Sequence, residues 1–142
     1  MKGNITLTMI KPDAFACCDQ ITQRIIFEGF RILSMKYTML SEPQAEEFYA
    51  IHKGKDFYVD LIKFMTSGPI LACILEKSNA VKDFRNLIGD TDPAMAQPGT
   101  IRSMYGKAIS SNAIHGSDSD ENAIQECSFF FPEMLDKITR IQ

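Results

Sequence analysis

Apolar and polar residues alternate from Asn4 to Ile10, with Ile5, Leu7 and Met9 on one face and Thr6 and Thr8 on the other. That is the period of a half-buried strand, and Lys11-Pro12-Asp13 ends it. Asp19 can cap a short helix that places Ile21 and Ile25 one turn apart, with Gly29 as a left-handed stop after Glu28. From Phe30 to Leu40 the odd positions Leu33, Met35, Tyr37 and Met39 are apolar between polar neighbours, which predicts a second strand. Ser41-Glu42-Pro43-Gln44 combines an N-cap, a first-turn proline and a capping-box partner, so a helix runs to about Ile51 and Gly54 breaks it. Phe57, Leu61 and Phe64/Met65 recur at helical spacing across Asp56 to Met65. Ile70 to Leu75 is apolar on both faces, the pattern of a central strand.

Asn79 opens another helix, with Val81, Phe84 and Leu87/Ile88 inward and Gly89 as its stop. Between Gly89 and Ser119 the pattern dissolves into a long loop punctuated by Asp92-Pro93, Pro98-Gly99, Gly106 and Gly116, with a short helical piece near Thr100 to Met104. Loops of this length usually carry function. Ser119 caps a helix through about Glu126, Phe129-Phe130-Phe131 reads as the last strand, and Pro132 to Ile141 as a short terminal segment. The element order gives an α/β or α+β class, and spacing alone leaves a parallel doubly wound sheet and an antiparallel split βαβ sheet both open.

Composition narrows the function classes. The chain has 142 residues, 45% hydrophobic and 23% charged, the makeup of one domain spanning residues 1–142. Fifteen Lys+Arg against 18 Asp+Glu give 15 − 18 = −3, so no global basic field draws it to nucleic acid or anionic lipid. MKGNITLTMI lacks the apolar run and cleavage site of a secretory leader, and no segment approaches the roughly 20 apolar residues of a membrane span. Two of the four cysteines, Cys17 and Cys18, are adjacent, which makes mutual bridging awkward. Cys73 and Cys127 complete the set, and reduced thiols in a cytoplasm are expected.

Asn112-Ala113-Ile114-His115-Gly116-Ser117-Asp118 gathers a carboxamide, an imidazole, a hydroxyl and a carboxylate in that loop. A neutral imidazole is nucleophilic at pH 7 and can attack phosphorus without an auxiliary base, although a hydrogen-bonded loop histidine has the same appearance in sequence. His52, at a helix end, reads as structural. A phosphate chain needs fixed cations, and Lys11, Arg85 and Arg102 are the candidates. Walker A and Gly-rich dinucleotide patterns are absent from the sequence, and no His/Cys/Glu grouping has zinc spacing.

Thr8-Met9-Ile10-Lys11-Pro12-Asp13-Ala14 together with the His115 segment resembles the nucleoside diphosphate kinases. The likeness extends in order through Phe48-Tyr49, Phe57, Phe64-Met65-Thr66-Ser67-Gly68-Pro69, Arg85, Gly89-Asp90-Thr91-Asp92-Pro93 and Pro98-Gly99-Thr100-Ile101-Arg102, so it covers essentially the whole chain. It implies a ferredoxin-like α/β sandwich with a four-stranded antiparallel sheet covered by helices. It also implies ping-pong transfer of a terminal phosphate from a nucleoside triphosphate to a nucleoside diphosphate.

By this resemblance His115 matches the phosphorylated histidine and Glu126 the carboxylate that fixes its far nitrogen, with Ser117 the hydroxyl beside that pair. Lys11, Tyr49, Arg85, Thr91, Arg102 and Asn112 match positions that contact phosphates and sugar, and Lys11 is counted with the catalytic group. Phe57 matches the aromatic that stacks on the base, whereas spacing alone reads it as helix core. The expected cofactor is Mg2+, held mainly by nucleotide phosphates with no protein side chain assigned as a ligand. Symmetric homo-oligomers are implied, a hexamer first because the loop from Asp92 is full length, a tetramer second because the chain ends soon after the last predicted strand. Cys17-Cys18-Asp19 stands where a glycine-containing turn is usual and Asp56 where proline is common. A non-catalytic nucleotide-binding module is the competing reading, and it needs neither His115 nor Glu126.

Overall fold

Ile5–Ile10 form β1, buried along its whole length. The alternation predicts one open face, but both are covered. Ile5, Leu7 and Met9 enter one core cluster, and Ile10 enters a second on the opposite face, where Thr6 and Thr8 are also enclosed. The computed structural model describes residues 3–142; Met1 and Lys2, the start of the segment read for a leader, lie outside them.

Three further strands complete the sheet: β2 (Arg31–Thr38), β3 (Ile70–Glu76) and β4 (Ile114–Gly116). Their order is β2-β3-β1-β4 with every neighbouring pair antiparallel, the ferredoxin-like α/β sandwich, which resolves the topology that spacing left open. Strand β3 is interior and apolar on both faces, as its composition requires.

The helices are α1 (Cys18–Phe27), α2 (Glu42–Phe48), α3 (Tyr58–Met65), α4 (Ala80–Ile88), α5 (Ile101–Tyr105), α6 (Asp120–Phe130) and α7 (Leu135–Ile141). Ser41 and Gln44 form the expected capping box on α2, after which a 3-10 turn carries the chain through Ala50–His52. Helix α1 starts one residue before Asp19: a 3-10 segment, Pro12–Cys17, runs directly into it, so Asp19 lies in the first turn and makes no cap. Asn79 precedes α4 in a left-handed conformation without a side-chain cap bond.

Two expectations fail for identifiable reasons. Phe129-Phe130-Phe131 is not a strand but the end of α6, because Ala123, Cys127 and Phe130 continue one buried helical stripe from the Ser119 cap. The fourth strand is β4, inside the segment read as loop. In β2 the pairing skips Leu33, so this bulge carries Leu33 toward the first cluster and reverses the alternation beyond it. Met35 and Tyr37 are therefore exposed on the edge strand, and Met39 just beyond its end is exposed as well.

All four cysteines are unpaired. Burial pushes the thiol of Cys18 up to about 11 and those of Cys73 and Cys127 up to about 12, which keeps them protonated and unreactive.

Candidate active site

The site is built where β1 and β4 run side by side and deliver Lys11 and His115 to the same end of the sheet. Met9 pairs with His115 and Thr8 with Gly116, and Thr8 Oγ1 donates to the His115 carbonyl at 2.8 Å. Gly116 is required by packing: a Cβ there would lie 2.9 Å from the Phe84 ring and 3.1 Å from Ile88, so α4 presses directly on the strand.

Ser119 caps α6 by accepting from the Asn122 N–H at 3.1 Å, and the helix presents Glu126 toward the strand. One carboxylate oxygen, Glu126 Oε1, takes two hydrogen bonds: His115 Nε2 at 2.8 Å and the Ser117 hydroxyl at 2.7 Å. Ser117 is fully buried, and its Oγ also accepts the Leu7 N–H at 3.0 Å, so Ser117 anchors Glu126 to β1. With Nε2 engaged, Nδ1 has no hydrogen-bond partner among the described residues. The Phe48 ring meets the imidazole edge-to-face at 5.5 Å, which fixes the ring from a third side.

Lys11 Nζ donates to Asn112 Oδ1 at 2.8 Å, and Asn112 Nδ2 donates to the Thr91 carbonyl at 3.0 Å, so Asn112 ties the strand end to the long loop. Burial, then the Arg102 guanidinium, lowers the Lys11 ammonium to about 8, with Asp13 acting in the opposite direction. Arg102 donates to the carbonyls of Gly89 at 3.0 Å and Ile114 at 2.8 Å, while its Nε finds no partner among the described residues. Burial and the neighbouring Arg85 charge bring Arg102 down to about 10. Arg102 thus repels Lys11 and is itself repelled by Arg85, a concentration of positive charge that suits an anionic ligand.

Tyr49 is buried, and its hydroxyl has no partner among the described residues; burial and the Glu126 charge push its ionisation upward, so it stays a neutral donor. Phe57 belongs to neither core cluster. It precedes α3, stands 49% exposed, and rests on His52, which in turn stacks on Tyr49 at 6.3 Å. Burial first, then Lys55, lowers the His52 pKa. Arg85 and Thr91 have exposed side chains. Asp56 is an exposed turn residue; Cys17 ends the 3-10 segment, and Cys18-Asp19 starts α1.

Reasoning from sequence assigned no role to Asp13, whose Oδ2 accepts the Ala113 N–H at 3.0 Å, or to Phe48 beside His115. An acid two residues beyond Lys11 was the available signal for the first.

The family model described as nucleoside diphosphate kinase matches residues 4–135. The chain belongs to the nucleoside diphosphate kinase family. It is 52% identical over 133 residues to the nucleoside diphosphate kinase of Flavobacterium psychrophilum, covering 92% of this chain and 96% of the relative. It is likewise 52% identical over 128 residues to that of Chlorobaculum tepidum, covering 89% and 91%. Among solved structures, the Aquifex aeolicus nucleoside diphosphate kinase aligns with a TM-score of 0.88 at 40% identity, covering 90% of this chain and 94% of that one. The Halobacterium salinarum nucleoside diphosphate kinase, solved in complex with CDP, aligns with a TM-score of 0.85 at 36% identity, covering 91% and 88%. The chain is accordingly a phosphotransferase of the nucleoside diphosphate kinase family. Among the described residues no helix is long and apolar enough to cross a membrane.

Proposed function

We propose that residues 1–142 act as one nucleoside diphosphate kinase domain that transfers the terminal phosphate between nucleotides through a phosphohistidine on His115. The observation that carries this reading is the Glu126–His115 hydrogen bond: it occupies Nε2 and leaves Nδ1 with a free lone pair. Nδ1 attacks the terminal phosphorus of a nucleoside triphosphate; the N–P bond forms, the bond from phosphorus to the bridging oxygen breaks, and the diphosphate leaves. In the second half-reaction a terminal oxygen of another nucleoside diphosphate attacks the phosphohistidine, and the N–P bond breaks. Glu126 holds the Nε2–H tautomer and offsets the positive charge that phosphorylation places on the ring, while Ser117 keeps the carboxylate aimed.

Lys11, Arg85 and Arg102 supply the charge for the phosphates, and Tyr49, Thr91 and Asn112 the polar contacts to phosphate and sugar. Phe57, exposed and braced by His52, offers a π face to the base, the class of ligand bound by the Halobacterium salinarum relative. Mg2+ fits as an ion carried by the nucleotide, because a triphosphate brings the oxygen ligands that this ion prefers. When bound, it neutralises phosphate charge that would repel an incoming nucleophile.

A cytoplasmic homo-oligomer, a hexamer first and a tetramer second, is part of the same reading. The edge strand β2 exposes Met35 and Tyr37, with Met39 just beyond its end, a surface suited to a second copy.

The deciding experiment incubates the protein with terminally labelled ATP and magnesium without acceptor. The label is expected in an acid-labile, base-stable bond and absent from His115→Ala; an acid-stable label, or equal labelling of that variant, refutes the reading.

A further inference from the structure

Ala113 is a non-glycine residue with φ of +74°, completely buried two positions before His115. The Ile114 N–H donates to the Asn112 carbonyl at 2.9 Å, so the chain closes a three-residue turn around Ala113. A left-handed centre closed in this way is the rare, strained form of the γ-turn, and a Cβ makes it costlier than glycine would. Such strain persists only where the surroundings over-determine it.

The surroundings here are one short segment. The Ala113 carbonyl accepts the Lys11 N–H at 2.8 Å, and the Ala113 N–H donates to Asp13 Oδ2 at 3.0 Å. Both polar groups of the strained residue are therefore held by Lys11-Pro12-Asp13. The turn separates Asn112, which binds Lys11 Nζ, from His115, which enters β4 in register with Met9. A relaxed turn would move both.

We propose that Asp13 is a positioning residue for phosphotransfer: its carboxylate locks the left-handed turn at Ala113 and so sets Asn112 and His115 relative to Lys11. The inference rests on the phosphohistidine reading, but the lock itself is measurable without it. Asp13 also favours the Lys11 charge, so its removal acts in two ways that the test must separate.

Ala113→Gly separates them, because glycine adopts the turn without the lock and leaves the electrostatics unchanged. Single-turnover labelling of the full-length protein is measured for wild type, Asp13→Ala, Asp13→Asn, Ala113→Gly and Asp13→Ala/Ala113→Gly, with hydrogen exchange at the Ala113 and Ile114 amides. Asp13→Ala is expected to slow labelling about 10- to 100-fold and to speed exchange at these amides. Adding Ala113→Gly restores most of the labelling rate. Asp13→Asn, which retains an acceptor oxygen, keeps the exchange protection. The proposal is overturned if Asp13→Ala labels at the wild-type rate, if Ala113→Gly restores nothing, or if both amides stay protected in Asp13→Ala. Should Asp13→Ala not fold, unprotected amides in a folded Asp13→Asn overturn it, and protected ones support it. A wild-type protein that takes no label refutes the functional reading instead, and exchange still reports whether Asp13 holds the turn.

Discussion

Glu126 Oε1 accepts the buried Ser117 hydroxyl at 2.7 Å and His115 Nε2 at 2.8 Å, so a single oxygen links the imidazole to the interior of the sheet. Glu126→Gln keeps an acceptor but loses the charge that balances a phosphorylated ring. Phosphotransfer is expected to fall about 10- to 100-fold, in line with losses when orienting partners are removed elsewhere. His115→Ala should lose far more. Rapid-quench labelling of both variants checks this, and equal losses would mean that Glu126 does more than orient the ring.

Ser117→Ala should act on stability as well as rate. It removes the acceptor of the buried Leu7 N–H, and an unsatisfied buried donor costs about 1–3 kcal/mol. Denaturant unfolding should show that loss, with a smaller fall in labelling rate than Glu126→Gln because the carboxylate remains. An unchanged unfolding midpoint would show that Leu7 finds another partner.

The lowered Lys11 pKa sets an alkaline limit. Lys11 is cationic below about 8 and neutral above it in the free protein, so kcat/KM should fall above that pH. Bound phosphates favour the ammonium, so kcat at saturating nucleotide should persist to higher pH. The linkage has a definite sign: in the unfolded chain Lys11 keeps its proton to about 10.4, so between the two values the unfolded state binds more protons and this group's penalty on folding is relieved as pH rises. A kcat/KM profile flat to pH 10 would show that no lysine lowered to about 8 governs nucleotide capture.

Phe57→Ala should weaken every nucleotide by about 1–3 kcal/mol, the usual range for one base on an aromatic ring. Titration with guanine, adenine, cytosine and uracil diphosphates measures it. Loss confined to one base would show that an edge, not a π face, is read.

Light scattering at micromolar concentration tests assembly. A sixfold mass is expected, a fourfold mass reverses the order of preference, and a single-chain mass refutes oligomerisation. Pro93 packs so closely on Gly106 that a Cβ there would lie 2.7 Å from the proline ring. Pro93→Ser should loosen this loop and shift a hexamer toward dimers, leaving a tetramer assembled without it intact.

Strands β1 and β3 and the caps at Ser41 and Ser119 were legible because period and capping are local properties. Strand β4 was not, since three residues are too few to show a period, and the Phe129–Phe131 run suits either element until Ala123 and Cys127 are counted with it. At the site, His115 and the three cations could be picked out by chemistry. The pairing of His115 with Glu126 is a tertiary fact that residue types alone do not carry. The left-handed φ of Ala113 leaves no trace in composition, because alanine gives no sign of positive φ as glycine would.

The bonds that tie the first strand to the site are long in sequence: Lys11 to Asn112 crosses 101 positions and Leu7 to Ser117 crosses 110. During synthesis β1 can pair with β3, but its other edge must wait until β4 and α6 have emerged. Closing contacts of such sequence separation costs loop entropy before any bond repays it, so the catalytic end of the sheet should mature late. A nascent or truncated chain that stops short of Glu126 would hold Lys11 but lack the carboxylate that orients the His115 ring.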